Sequence, residues 1–313
     1  MSEAGGNWER EAIERLAAAA LQEQRRARRW GIFFKSLTFV YLFILLFVAL
    51  GWIGGADVRV TGPHTALVDL SGVIASDTEA SADGVMAGLR AAFKSADSKG
   101  VILRINSPGG SPVQAAAINN EITRLRGLHP DKPLYAVVED VCASGGYYVA
   151  VAADRIYVDK ASLVGSIGVL IDGFGFTEAM NKLGIERRLL AAGDNKGFLD
   201  PFSPLEPKQR EHARQMLGEI HQQFIAAVKK GRGGRLKDQP DLFSGLMWTG
   251  EKSVELGLAD AIGSVDFVAR EIIKAEEIVN FTRRESLPER LVRRLGAGIG
   301  EAVLRAAAPG AMR

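Results

Sequence analysis

In VCASGGYY (Val141 to Tyr148) one serine stands between an alanine and two glycines, directly after the apolar run Leu134 to Val138. A serine hydroxyl attacks a carbonyl only when a base takes its proton and donors receive the charge that develops on the attacked oxygen. Glycines meet the second need. Without a Cβ, Gly109 and Gly110 of NSPGGS (Asn106 to Ser111) can turn N–H groups into a pocket, and Gly145 adds another beside Ser144 at a helix start. The same residues also read as two glycine turns in which Ser111 or Ser144 caps a helix. Spacing alone leaves both readings open.

The base carries more information. The chain has four histidines, His64, His129, His212 and His221. His64 adjoins Pro63, His129 lies in the turn GLHPDKP, and His212 and His221 fall in a charged helix over about Glu206 to Lys230 that reads as a solvated face. None lies in a glycine-rich or apolar loop after Ser144. A lysine serves as a base when it is neutral, which burial and a scarcity of carboxylates favour. Most downstream lysines share the charged helix or have a carboxylate within two residues. Lys196 differs: it sits in LLAAGDNKGFLDPFSP, flanked by glycine, after an apolar strand expected at Arg187 to Ala192. Asp194 and Asp200 weaken its case if they pair with it, and by itself it reads as a surface lysine sooner than as a base.

These residues need a scaffold, and the pattern from Thr65 supplies one. Strands are expected at Ala66 to Ile74, Val101 to Asn106 and Leu134 to Glu139, alternating with helices at Ala82 to Ala96, Pro112 to Arg126 and Ala143 to Ala153. Such a βαβ series makes a mostly parallel sheet, and its strand ends bring NSPGGS and VCASGG to one edge.

The N-terminal part is of another kind. Residues 36–58 contain no charged side chain except Asp57, long enough for a spanning helix of roughly 20 residues, with Trp30, Tyr41 and Trp52 near the headgroups. A buried core helix and a cleaved leader ending near GWIGGAD are the alternatives, and an uncleaved anchor is preferred. Arg25, Arg26, Arg28, Arg29 and Lys35 precede the apolar run, which keeps the N-terminus cytoplasmic and sends the remainder across the membrane. The net charge of +2 gives no sign of a nucleic-acid partner, and the single cysteine, Cys142, allows no intrachain disulfide.

NSPGGS, ASGGYYVA, ADRIYVD, GSIGV, GDNKGFLDPFSP and WTGEKSVELGLADAIG occur in an order that resembles the signal peptide peptidase A, or protease IV, family over about residues 65–275. These are membrane-anchored serine proteases with a serine/lysine dyad. The resemblance implies an α/β fold of the Clp protease/crotonase type, a spiral of ββα units, preceded by one transmembrane helix. It implies Ser144 as nucleophile and Lys196 as general base, with Asn195 standing where the family commonly has an aromatic residue. It further implies that Ser166 of GSIGV orients the lysine and that Gly109, Gly110 and Gly145 form the oxyanion hole. No cofactor and no metal are expected. Substrates would be remnant signal peptides and other unfolded hydrophobic segments, cleaved by a homo-oligomer whose dyad is shared between protomers.

The expected organisation is a cytoplasmic segment at 1–35, an anchor at 36–56, an extracytoplasmic protease domain at 57–275 and a tail at 276–313. In that tail Leu287, Leu291, Leu295, Ile299 and Val303 recur at i+4 beside arginines, an amphipathic pattern within an otherwise loose end. Two other functions compete: an acyl-CoA enzyme of the crotonase class, and a non-catalytic membrane scaffold on the same fold. Acyl-CoA is cytoplasmic, which opposes the first. The joint presence of Ser144, Lys196 and Ser166 opposes the second.

Overall fold

Near-continuous runs of Val, Ile and Leu, as in GVILRI and LYAVV, suit strands buried on both faces, and these runs form the centre of the sheet. The computed structural model describes residues 5–49 and 62–283. Strands β1 (His64–Ser71), β2 (Ser98–Ser107) and β3 (Leu134–Ala143) pair in parallel, with Ala66 opposite Val101 and Leu103 opposite Ala136. The crossovers are α2 (Ala82–Lys94) and α3 (Pro112–Leu128). After β3 come α4 (Gly145–Ala150), β4 (Arg155–Val158) and β5 (Leu163–Gly165). β3 has two neighbours in succession: β4 lies along its first half and β5 along its last three residues.

The chain then leaves the sheet for residues 168–206, which contain only the short helix α5 (Thr177–Lys182), and returns through α6 (Pro207–Arg232). β6 (Met247–Thr249) pairs antiparallel with β5, α7 (Gly250–Glu255) follows, and β7 (Ala261–Ile262) joins β4. A helical turn, α8 (Val265–Phe267), runs into a π-helical turn at Val268–Ile273 before β8 (Ile278–Asn280) closes the other edge beside β1. The sheet order is β6-β5-β3-β2-β1-β8.

Side chains alternate between two cores. On one face Leu70, Leu103, Ile105 and Val138 pack with Leu89, Ile118 and Ile122 of the helices. On the other, Leu67, Ile102, Val137 and Tyr157 are covered by Val268, Ala269 and Ile273. This is the mixed α/β sheet that the sequence implies. Two expectations change. Residues 187–192 form no strand, because they are exposed and find no pairing partner. The folded body also continues past residue 275, since β8 takes its place beside β1.

The N-terminal unit is described by α1 (Gly5–Ala49), a single helix of 45 residues. Its Leu21–Phe47 portion is long and apolar enough to cross a membrane, and 27 residues extend about 40 Å at a rise of ~1.5 Å each. Trp30 stacks on Phe34 and meets Phe33 edge-on, with centroids at 5.6 and 5.7 Å. The end of the expected anchor (50–56), the GWIGGAD stretch and the amphipathic pattern at 287–303 lie outside the described residues.

A buried carboxylate links the helices. Glu121 of α3 accepts from Arg124 and Arg90 at 2.7 and 2.6 Å, and these bonds, Arg124 foremost, lower its pKa from 4.5 to about 2. A carboxyl whose folded pKa is depressed contributes stability that is complete above its unfolded pKa and is lost as pH falls through the folded one. Because both arginines are half exposed, the contribution is about 1–2 kcal/mol. Glu121→Gln should therefore flatten the fall of Tm between pH 4.5 and pH 2 seen for the wild type, as followed by circular dichroism.

Candidate active site

Only Ser144 separates the last residue of β3 from the first of α4. Turning from strand to helix in one residue forces it to φ 51° and ψ −121°, a region that side chains with a Cβ rarely adopt and that costs about 1–3 kcal/mol. The surrounding backbone holds it there. Its N–H donates to the Gly165 carbonyl at 2.9 Å, and its own carbonyl accepts from the N–H of Tyr148 at 2.9 Å.

The capping alternative separates the two serines. Ser111 does cap α3, its hydroxyl accepting from the N–H of Gln114 at 3.4 Å. Ser144 makes no side-chain cap bond, and its half-buried hydroxyl has no hydrogen bond among the described residues. The first N–H groups of α4, beginning with Gly145, have no intrahelical acceptor.

The NSPGG loop lies directly against this turn. A methyl group on Gly109 would stand 2.7 Å from both Gly145 N and Ser144 Cβ, and one on Gly110 would stand 2.2 Å from the Ile74 carbonyl oxygen. Both glycines have positive φ, 101° and 146°. A methyl on Gly146 would come within 2.9 Å of the Ser107 carbonyl. The two loops thus meet backbone to backbone. Their three expected donors are not equivalent: Gly109 N–H points to the hydroxyl of Ser107 at 3.2 Å, whereas Gly110 N–H has no acceptor among the described residues.

Ser166 is brought to the same place by register. Ala143 pairs with Gly165, so Ser144 and Ser166 are the next residues of two adjacent parallel strands, and both turn with left-handed φ, 51° and 50°. Ser166 N–H donates to Leu246 C=O at 2.8 Å. The following carbonyl, of Ile167, accepts from Nε2 of His221 at 3.0 Å. His221 is therefore half-buried against this turn and not on a solvated face, which the sequence reading missed. Its signal was the stripe His221, Phe224, Val228 at i, i+3, i+7, obscured by the charged residues around it.

Lys196 is not joined to these serines by any bond among the described residues. It is exposed, in a series of turns in which its N–H donates to Gly193 C=O and Phe198 N–H to Asn195 C=O. Its ammonium makes no hydrogen bond or ion pair with Ser144, Ser166 or any other described residue. Asp200 is engaged otherwise: bonds from Ser203 first, and from the Phe202 N–H and Arg187, hold its carboxyl below the usual range. Phe198, two residues on, meets His212 of α6 edge-on at 5.6 Å. His212 and His221 are nine residues apart on α6, so the Lys196 loop docks about 13 Å along that helix from the Ser166 turn. In the same stretch of chain Leu170, Phe174, Leu183 and Leu190 are exposed, Leu190 at 96%. Cys142 is buried, and burial pushes its thiol up, which makes it an inert core residue.

A residue with a Cβ cannot fill the loop contact. Gly110→Ala is expected to lower stability by more than about 2 kcal/mol in urea unfolding, from the clash with Ile74 and the positive φ. Gly127→Ala, on an exposed helix position with open space around it, serves as the control and should not destabilise.

Comparison with known proteins adds to this geometry. Residues 127–279 match the family model of Peptidase family S49. A candidate protease of Methanocaldococcus jannaschii is 31% identical over 214 residues, covering 66% of this chain and 67% of that protein. Protease 4 of Haemophilus influenzae is 31% identical over 219 residues, 69% of this chain and 35% of that protein. A Brucella melitensis protein named Na(+)/H(+) antiporter NhaA is 48% identical over 177 residues, and the chain spans only 24% of its length.

Proposed function

Since the chain belongs to peptidase family S49, we propose that it is a serine protease in which Ser144 is the nucleophile, Lys196 the general base and Ser166 the hydroxyl that orients the lysine. The observation that carries this reading is the Ser144 turn itself: a strained serine whose hydroxyl caps nothing, next to the Gly110 and Gly145 N–H groups, which have no acceptor among the described residues. Gly110 and Gly145 are the oxyanion donors, and Gly109 supports them by lending its bare Cα to the contact, because its N–H already has the Ser107 hydroxyl.

In this mechanism neutral Lys196 takes the Ser144 proton as Oγ attacks the peptide carbonyl. The oxyanion forms beside Gly110 and Gly145 N–H. The tetrahedral intermediate collapses, the C–N bond breaks, and the lysine proton goes to the leaving amine. Water, deprotonated by the Lys196 amine that this step has left neutral, then attacks the acyl ester, the ester C–O bond breaks, and the Ser144 oxygen takes the proton back from Lys196. A base that acts as the free amine gives a kcat/KM that rises from neutral to alkaline pH.

The lysine comes from a second copy of the chain. Two observations support this: its exposure on a loop docked about 13 Å along α6 from the Ser166 turn, and the exposed apolar side chains of residues 170–205, which a neighbouring protomer would cover. Helix α1 anchors the domain, with the arginines at 25–29 on the cytoplasmic side and the α/β body across the membrane. A protease held near the bilayer is suited to remnant signal peptides and unfolded apolar segments, bound in extended form beside the NSPGG loop.

Casein or signal-peptide cleavage by the full chain tests the dyad, with no cleavage expected from Ser144→Ala or from Lys196→Ala. Retained activity in either variant rejects that assignment. Mixing the two inactive variants before assembly should restore about a quarter of wild-type activity, because one site in four receives an intact serine and an intact lysine. No recovery from co-assembled chains rejects sharing between protomers.

A further inference from the structure

The Ser166 turn is held from three directions, and one of the three holders is a side chain. Gly165 C=O takes the Ser144 N–H, Ser166 N–H reaches Leu246 C=O on the approach to β6, and Ile167 C=O takes the His221 ring. A carbonyl cannot donate, so Nε2 of His221 carries the proton. Ile167 is fully buried, and leaving its carbonyl without a partner would cost about 1–3 kcal/mol.

The helix that supplies His221 also touches the serine's own helix. Phe224, one turn on, packs its ring on Tyr148 at 5.1 Å, and Tyr148 is the residue whose N–H bonds to Ser144 C=O. Residues 168–206 leave the body immediately after Ile167 and return into α6, so the His221 bond also ties the exit of this arm to its return. The arm carries Lys196.

We propose that His221 is a positioning residue for peptide hydrolysis: by donating to Ile167 C=O it fixes the Ser166 hydroxyl beside Ser144 and fixes the base of the arm that presents Lys196. The role rests on the assignment of Ser144, Ser166 and Lys196 above. It touches no reacting atom, and it acts through where Ser166 stands.

The test compares His221→Leu, which keeps bulk and removes the donor, with His221→Gln, whose amide N–H can reach the same carbonyl. In casein cleavage by the full chain in detergent, His221→Leu should lower kcat at least about tenfold with KM changed less than about twofold, and His221→Gln should recover most of the loss. Equal activity in wild type and His221→Leu overturns the proposal, and so does an equal loss in both variants. Nitrogen-15 spectra of histidine-labelled wild type keep the proposal open to refutation even if His221→Leu does not fold. The His221 signal should report the Nε2–H tautomer, and an Nδ1–H tautomer overturns the proposal. Ser144→Ala, assayed alongside, separates the two claims. If it is inactive while His221→Leu is unimpaired, only the role of His221 fails; if it is active, the dyad itself fails.

Discussion

The bond from Ser144 N–H to Gly165 C=O joins two parallel strands at the residue where each turns out of the sheet. Both turns use a left-handed φ on a serine, and each would be abandoned by an isolated chain, since the strain of about 1–3 kcal/mol has no local recompense. The register of β3 against β5 makes the two strained residues neighbours. The rest of the body then serves to keep them so: the NSPGG loop blocks retreat on one side, the Leu246 carbonyl fixes the second turn, and α6 packs Phe224 on α4 and His221 on the turn after Ser166.

Much of this was legible in the sequence, for a physical reason. Strands buried on both faces must be almost wholly apolar, so β1, β2 and β3 announce themselves, and glycine is the only residue that permits two backbones to meet as Gly109 and Gly145 do. What was not legible depends on tertiary partners. IVN at β8 is too short to carry a period and becomes a strand only because β1 has an open edge. Arg187 to Ala192 has the apolar run of a strand and no edge to join. The donor state of Gly109 turns on where the Ser107 hydroxyl points, and the importance of His221 on which carbonyl lies beneath α6. Neither is a property of local sequence.

The molecule divides its tasks between stiff and exposed material. The serine and its proposed donors stand on strand ends and a helix start, where the neighbours leave no space for displacement. Lys196 stands on an exposed arm whose internal contacts include the aromatic pairs Phe176 on Phe202 and Phe174 on Phe176, the Arg187 guanidinium over Phe202, and the bond from Phe176 N–H to Pro201 C=O. In the proposed mechanism the nucleophile and its donors thus stand on rigid elements and the base on an exposed arm.

The glycine contact between the two loops has a consequence for how such sequences are read. Gly109, Gly110 and Gly146 are required because a methyl group would strike backbone atoms 2.2 to 2.9 Å away, whereas one on Gly145 would make only a tight contact at 3.3 Å. That requirement is steric and would persist unchanged in a chain whose serine had been lost. The glycines are therefore a signature of the shape, and a protein could carry NSPGG and A-x-GG faithfully while hydrolysing nothing. If Ser144 and Lys196 are the dyad proposed above, the side chains that decide activity lie outside the glycines, so the most recognisable part of the motif is the part least informative about activity.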